Sequence, residues 1–192
     1  MPRISAPTLA EHQARRRQAL VTAAVDILAE DGVAALTPAA VGRRASLARS
    51  STYQYFDSSA ALLATAVEEA HAEVVTVVAR ATDRAQGPDA IVDAYVTGVV
   101  GLATTAAARA LRALERAELP PMCAARLDEL AVIRRAPLVR ALTGGGVPDP
   151  GLTAVLVAAV VGAGAAEVAA GADPVVVRAR LLTLVHAGID GV

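Results

Sequence analysis

The segment between Thr37 and Phe56 concentrates side chains that could bind a polyanion. Arginine can contact guanine through two parallel hydrogen bonds, and hydroxyl or amide side chains can hold phosphates. Three of the four aromatic residues of the chain lie in the same segment. This clustering favours a specialised surface, although the same aromatics could form the core of a small helical subdomain. The donors are Arg43, Arg44, Arg49, Ser50, Ser51, Thr52 and Gln54, and the aromatics are Tyr53, Tyr55 and Phe56.

Composition limits the kind of protein that can carry this segment. The chain has 192 residues, of which 55% are apolar, so a large core can be buried. The net charge is −1, so contacts to nucleic acid must come from a local basic patch. Cys123 is the only cysteine and the three histidines are scattered, so we expect no disulfide and no metal site. No secretory signal precedes Leu20, and we expect a cytoplasmic protein.

One stretch imitates a catalytic fold without matching it. Residues 160–167 resemble the glycine-rich dinucleotide fingerprint, but Glu167 stands where the third glycine belongs. Only 25 residues follow it, too few for the rest of a βαβ scaffold. The sequence has no nucleophile elbow, zinc-protease motif or Walker motif. A nucleotide-binding enzyme is therefore a remote alternative, and we expect no enzyme and no cofactor.

The elements that must position the polar segment are helices, because apolar residues recur at helical spacing and strand alternation is absent. Gly32 suits the end of a first helix. Thr37 and Pro38 suit the N-cap and first position of a short second helix running to about Arg44. Residues 45–48 form a turn, and another short helix runs to Phe56. The buried face of the first helix comprises Leu20, Ala24, Ile27 and Leu28.

The rest of the chain also predicts helices, which makes an all-α protein with about nine of them. Residues 57–59 cap a long helix whose inner face carries Leu63, Val67, Ala70, Val74 and Val78. Residues 86–89 break it, and a buried helix follows from about 89 to 107. Further helices are expected at 108–118, 121–142, 152–171 and 174–189.

The stretch from Arg17 to Leu63 resembles the DNA-binding domain of the TetR family of transcriptional regulators. The matching positions are Gly32, Thr37, Val41, Ala45, Tyr53, Tyr55, Phe56, Ser58 and Leu62. The resemblance implies a three-helix DNA-binding domain at residues 11–58, with a helix-turn-helix at 37–56. It implies a helical effector-binding and dimerisation domain at residues 59–192.

The resemblance also implies roles for individual residues. Bases would be contacted by Arg49, Ser50 and Ser51, and phosphates by Thr37, Tyr53, Gln54 and Tyr55, with Arg44 and Ser59 beside them. Three positions depart from the family pattern. Ser46 replaces a glycine in the turn, Ala48 replaces the serine cap of the recognition helix, and Ser59 replaces a phosphate-binding lysine. We expect strain at Ser46, an uncapped helix at Ala48 and a weaker grip on DNA.

Small residues favour a close approach of helices near the C-terminus. Ala158, Gly162, Ala166 and Ala170 form a stripe, and Leu181, Leu182, Val185 and Ile189 supply bulk on the last helix. The expected role is a homodimer interface, which would set two recognition helices one DNA turn apart on a palindrome. Packing within one chain is the alternative. The uncharged run from Pro150 to Ala166 is slightly short for a membrane span, so we expect a buried helix.

A pocket for a small-molecule effector is the least defined prediction. Glycines would leave room on an apolar helix and hydroxyls would supply a few polar groups. The candidates are Tyr95, Thr97, Gly98, Gly101, Thr104 and Thr105. The threonines could instead bond to carbonyls of their own helix. Together these features predict a ligand-responsive homodimeric repressor that binds double-stranded DNA and no membrane, with a helical adaptor that does not bind DNA as the alternative.

Overall fold

The computed structural model describes residues 6–191, without the side chains of residues 6–9, 49, 50 and 190. In that range the protein has nine α-helices, one 3₁₀ turn and no strand, which confirms the predicted all-α fold. The helices are α1 (Ala6–Glu30), α2 (Pro38–Arg44), α3 (Arg49–Tyr55), α4 (Ser59–Thr82), α5 (Pro88–Gly101), α6 (Ala106–Glu115), α7 (Pro121–Gly144), α8 (Pro150–Ala169) and α9 (Pro174–Asp190); the 3₁₀ turn is Val33–Ala35.

The chain divides into two compact units. Unit 1 comprises the chain up to Ala70 together with Arg109–Leu119, and unit 2 comprises His71–Ala108 and the chain from Pro120 onward. Helix α4 therefore contributes its first half to unit 1 and its second half to unit 2. The predicted boundary between residues 58 and 59 separates proposed functions rather than compact units, and it stays a prediction.

Unit 1 is built on the apolar face of α1. The four residues predicted for that face, from Leu20 to Leu28, are all buried, and Val41 of α2 and Leu62 of α4 are buried with them. Helix α1 ends at Glu30 because Gly32 adopts φ 79° and ψ −177°, a conformation open mainly to glycine. Helix α2 packs on α1, and α3 packs on α2.

Unit 2 packs α5 against α7, α8 and α9. The predicted helix over 89–107 is too long, since α5 ends at Gly101 and α6 starts at Ala106. Between them the backbone makes tight turns, and Thr105 Oγ1 accepts a hydrogen bond from Ala108 N at 3.3 Å. A threonine hydroxyl that caps a new helix competes with continuation of the old one, which explains the break.

Three helices end in the same turn, in which two N–H groups beyond the helix bond back to carbonyls of its last turn. The residue in the middle of this turn has positive φ. It is Gly146 after α7 (φ 73°), Gly171 after α8 (φ 108°) and Ser46 after α2 (φ 56°). A side chain at such a position costs about 1–2 kcal/mol. The expected strain at Ser46 is therefore present.

Helix α8 is less buried than the sequence predicts. Its inner positions are Ala154, Val157, Val161, Ala165 and Val168, but only 28% of its apolar window is buried. Within residues 6–191, α8 is long and apolar enough to span a membrane, and α5 with α6 qualifies only as a bent pair. Core helices of soluble proteins meet the same criterion. The apolar side chains on the outer face of α8 are therefore not explained by burial within the described chain.

Candidate nucleic-acid interface

Helix α2 begins with the cap that the sequence predicts. Thr37 is extended (φ −123°, ψ 150°), and its Oγ1 accepts a hydrogen bond from Ala40 N at 3.1 Å. Pro38 is the first helical residue, where its missing N–H leaves no intrahelical bond unmade. The cap fixes where the polar segment starts, and Thr37 is exposed there. Its predicted phosphate contact stays a prediction.

Two backbone hydrogen bonds hold the turn between α2 and α3. Ser46 N donates to Arg43 O at 3.1 Å, and Leu47 N donates to Gly42 O at 2.8 Å. Ala48, the N-cap residue before α3, is extended and makes no side-chain cap bond. The predicted uncapped start is confirmed. No side chain in this connection therefore relieves the first turn of α3.

A glycine allows α3 to lie directly on α2. A Cβ built on Gly42 would come within 2.9 Å of Thr52 Oγ1, closer than real Cβ atoms approach, and within 3.0 Å of Leu47 O, which is tighter than most real contacts. Thr52 is fully buried at this crossing, and its Oγ1 has no hydrogen-bond partner in the described part of the chain. Neither feature was predicted from the sequence. Together they fix the position of α3 at the cost of one unsatisfied hydroxyl.

The outer face of α3 is polar and accessible. Tyr53 is 45% exposed, Gln54 is exposed, and Ser51 and Tyr55 are half-buried. The side chains of Arg49 and Ser50, the first two residues of the helix, lie outside the described residues. The four described residues thus present hydroxyl and amide groups from a single short helix. Such groups can contact phosphates and base edges.

Phe56 anchors the far end of this helix. Its ring is buried, as the core interpretation of the sequence predicts, and its backbone N–H donates to Thr52 O at 3.0 Å. The guanidinium carbon of Arg17 lies 5.5 Å from the ring centroid. A cation over an aromatic face is attracted to it, so this contact connects α1 to the end of α3.

Arg44 is exposed but is paired with carboxylates of the same chain. Its guanidinium lies 2.8 Å from a carboxylate oxygen of Glu30 and 3.6 Å from one of Asp31, at the end of α1. The hydrogen bond from Arg44 to Glu30 raises the pKa of the guanidinium, and the nearby carboxylates act in the same direction. Arg43 is exposed, and none of the salt bridges found among the described residues involves it. The sequence could not reveal this pairing, and the predicted DNA contact of Arg44 stays a prediction.

The start of α4 lies just beyond this surface. Ser58 Oγ accepts a hydrogen bond from Ala61 N at 3.1 Å, so Ser58 caps α4. Ser59, the first residue of the helix, is exposed. It stays available for the phosphate contact that we predict, although a neutral hydroxyl attracts a phosphate less than a lysine would.

The residues predicted to line a ligand pocket lie in different surroundings. Tyr95 is buried, and burial raises the pKa of its phenol against the opposing effect of Arg134 and Arg135. A Cβ built on Gly98 would lie 3.8 Å from Val78, which is ordinary van der Waals contact. Of the others, Thr97, Gly101 and Thr104 are exposed and Thr105 caps α6. The described residues include no group of three His, Cys, Asp or Glu side chains suited to a metal. The pocket stays a prediction.

The predicted dimer residues are distributed over two faces. Leu181 and Val185 are buried within unit 2, where the side chain of Leu181 fills the space beside Gly164. The predicted stripe on α8 is half-buried as far as Ala166 and exposed at Ala170, while Leu182 and Ile189 of α9 are half-buried. Sequence analysis missed the large apolar side chains that are exposed on the two helices. These are Leu152, Val155, Leu156 and Val160 on α8, and Val175, Val176 and Leu184 on α9.

Comparisons with known proteins agree with this geometry. Residues 20–66 match the family model of bacterial regulatory proteins of the tetR family. A putative TetR-family transcriptional regulator from Rhodococcus sp. has a TM-score of 0.79 at 17% identity, covering 90% of this chain and 98% of its own. A TetR-like transcriptional regulator from Rhodococcus sp. RHA1 has a TM-score of 0.76 at 22% identity, over the whole of both chains.

The transcriptional regulator FadR from Bacillus subtilis, solved in complex with stearoyl-CoA, has a TM-score of 0.76 at 16% identity. That similarity covers 91% of this chain and 98% of FadR. No match was found among curated proteins. The solved structures establish the fold, and the family model covers α1 from Leu20 through α2, α3 and the first part of α4. Residues 20–66, which include α2 and α3, are therefore similar to the DNA-binding domain of tetR-family regulators, and the whole chain shares the fold of the solved structures.

Proposed function

We propose that the protein is a homodimeric, ligand-responsive repressor that binds a palindromic operator in the cytoplasm. The observation that carries this proposal is the pair of accessible surfaces on one chain. One is the polar outer face of α3, and the other is an apolar face on α8 and α9. A regulator that reads a two-fold symmetric operator needs one surface for the duplex and another for its twin.

The apolar face supports self-association. Leu152, Val155, Leu156 and Val160 lie at i, i+3, i+4 and i+8, which is one side of α8. Leu156 is 58% exposed and Leu184 of α9 is 61% exposed. A contiguous apolar face of this kind is rare on monomeric proteins. A two-fold axis would cover it with an identical face, since the same residues then meet on both subunits.

The surface around α3 supports sequence-specific contact with DNA. A dimer can place two copies of α3 in successive major grooves, about 34 Å apart. Arg43 is exposed nearby, whereas Arg44 is paired with carboxylates. We therefore expect electrostatic attraction to contribute modestly to the affinity for DNA. Hydrogen bonds from Tyr53 and Gln54 would hold α3 to the phosphate backbone of the duplex. An operator bound in this way would block transcription of the genes beside it.

A small-molecule effector completes the proposal. FadR, which shares the fold, was solved with stearoyl-CoA, and this supports a small molecule without identifying it. Helix α4 has residues in both compact units. We propose that an effector bound in unit 2 shifts α4 from Ser59 onward and changes the spacing of the two recognition helices. The protein would need no cofactor for this role.

Binding to DNA is tested by changing the reading helix. Operator sequences are selected from random duplexes, and affinities are measured at several salt concentrations. Arg49→Ala should relax base preference, whereas Tyr53→Ala should weaken binding to all sequences about equally. Arg140→Ala, which removes an exposed arginine from α7 in unit 2, serves as the control and should change neither property. Wild-type binding by both α3 variants would contradict the assignment of α3 as the reading helix.

Self-association is tested on the apolar face. Leu156→Glu should convert the dimer to a monomer in sedimentation experiments at micromolar concentration, because two charges would be buried at a two-fold interface. Val132→Glu is the matched control, since Val132 is 61% exposed but lies on α7. The helical content of both variants should equal that of the wild type. A dimer that survives Leu156→Glu, or a wild-type protein that partitions into detergent or lipid as a monomer, would contradict the proposed interface.

A further inference from the structure

Helix α3 is short and buries little apolar surface of its own, although Phe56 just beyond its end is buried. Helix α3 has seven residues, and an isolated helix of that length is unstable in water. Among the described residues, α2 is the one element against which α3 packs extensively. From Ser51 to Tyr55, Thr52 is the one fully buried side chain. Short helices depend on buried apolar surface, and within its own seven residues α3 supplies very little of it.

Three local features lower the stability of α3 further. Ser46 is held at φ 56° in a turn whose two counterparts in this chain use glycine. Ala48 has no side-chain oxygen that could cap the first turn, although its carbonyl accepts from Ser51 N at 2.9 Å. Thr52 Oγ1 is buried without a hydrogen-bond partner in the described structure. Each of these favours the open form of the segment from Ser46 to Tyr55, because strain and unmade hydrogen bonds disappear when the segment unfolds.

The neighbouring helices of unit 1 lack these features. Helix α2 has Thr37 as its cap and Pro38 at its first position. Helix α4 has Ser58 as its cap, and Leu62, Leu63 and Val67 are buried along it. Neither α2 nor α4 therefore shares the three features of α3, whose outer face is polar and accessible.

We propose that α3 opens locally in the free protein, and that binding to duplex DNA includes the folding of α3. The first part depends on the chain alone, and the second part rests on the proposed role of α3 in reading DNA. Under this proposal the measured affinity equals the affinity of the folded helix reduced by the fraction of molecules in which α3 is folded. Changes that fold α3 in advance strengthen binding to every duplex by the same factor.

The test uses the full-length protein and native-state hydrogen exchange at the amides of α2, α3 and α4. In the free wild type, the amides of Thr52 and Phe56, both hydrogen-bonded in α3, should exchange much faster than hydrogen-bonded amides of α2 and α4. Ser46→Gly and Ala48→Ser should each slow exchange in α3 about fivefold, since they remove the strain and supply a cap. Asp149→Gly is the matched control. It relieves the same kind of conformation (φ 46°) in unit 2 and should leave α3 unchanged.

The second measurement is the affinity of the double variant Ser46→Gly/Ala48→Ser for a duplex selected from random sequence and for a scrambled duplex. Both affinities should increase by about threefold or more and by similar factors, because the proposal requires that α3 be folded in about a third or fewer of the free molecules. Wild-type amides in α3 that are protected as well as those of α4 would overturn the proposal. If exchange in α3 slows without any gain in affinity, the coupling to DNA is wrong. If no variant binds any duplex, the proposed function fails, while the exchange data still decide whether α3 opens.

Discussion

The helix pairs α2–α3 and α8–α9 are built in opposite ways. Helices α8 and α9 have 20 and 17 residues, whereas α2 and α3 have seven each. The connection from α8 to α9 uses Gly171 at positive φ, and Asp173 caps α9 by accepting from Val175 N at 2.8 Å. The connection from α2 to α3 uses Ser46 at the same kind of position and leaves α3 uncapped.

This difference follows from what each pair presents to its surroundings. The α8–α9 pair exposes large apolar side chains, which an identical face would cover in the proposed dimer. The α2–α3 pair exposes polar groups, so little of its surface can be buried for stability. Under the proposed function, a short helix that enters a DNA groove gives up core contacts in order to stay accessible. The proposal therefore places recognition on the pair with the shorter helices and the uncapped start.

The largest effect is expected at the crossing of α2 and α3. Gly42→Ala places a methyl group 3.0 Å from the carbonyl oxygen of Leu47, which is backbone and cannot rotate away. The free energy of unfolding should fall by about 1–3 kcal/mol, measured by urea denaturation. Gly101→Ala is the control, since a Cβ there meets nothing within 4 Å, and it should be neutral or slightly stabilising. Equal stability of the two variants would mean that α3 is not held closely against α2.

Removing the buried hydroxyl of Thr52 should raise the free energy of unfolding, by less than Gly42→Ala lowers it. Thr52→Val keeps the shape of the side chain and removes an oxygen without a partner, so unfolding should cost about 1 kcal/mol more. The matched control is Thr82→Val, because Thr82 is also buried but its Oγ1 bonds to Val78 O at 3.0 Å. The control should be neutral or destabilising. A loss of stability in the Thr52 variant would show that its hydroxyl is satisfied.

The crossing of α8 and α9 should tolerate a substitution of glycine by alanine, which the crossing of α2 and α3 does not. A Cβ on Gly164 would lie 2.7 Å from Leu181 Cδ1, but this atom is the end of a flexible side chain. Gly164→Ala also gains helix propensity of about 1 kcal/mol, which offsets the repacking. The midpoint of urea denaturation should therefore move less than for Gly42→Ala. A larger shift would reverse the contrast between the two pairs.

The smallest effect concerns two adjacent arginines of α2. Arg43→Gln should reduce the slope of log affinity for DNA against log salt by about 1, if its exposed charge neutralises one phosphate. Arg44→Gln should change the slope less, because Glu30 and Asp31 already balance its charge. Filter-binding titrations over a range of salt would measure both slopes. A larger change for Arg44 would indicate that DNA draws it away from the carboxylates.

Sequence analysis predicted most of the helix-turn-helix, because its boundaries depend on local chemistry. Thr37 caps α2, Ser46 is strained and Ala48 leaves α3 uncapped, as the residue types at those positions imply. The end of α5 was missed. Two elements compete there for the same backbone, and the hydroxyl of Thr105 favours the second. Propensity alone does not decide such a competition.

The sequence by itself determined the all-helical class and the position of the polar segment, since helical periodicity and caps are properties of neighbouring residues. Only the tertiary structure decided which side of α8 faces outward, because α7 and α9 pack against that helix and leave Leu152 and Leu156 uncovered. It also decided that Arg44 is paired with Glu30 and that Thr52 is buried against Gly42. Contacts between distant residues depend on how helices pack, and a pattern read along one helix does not contain that information.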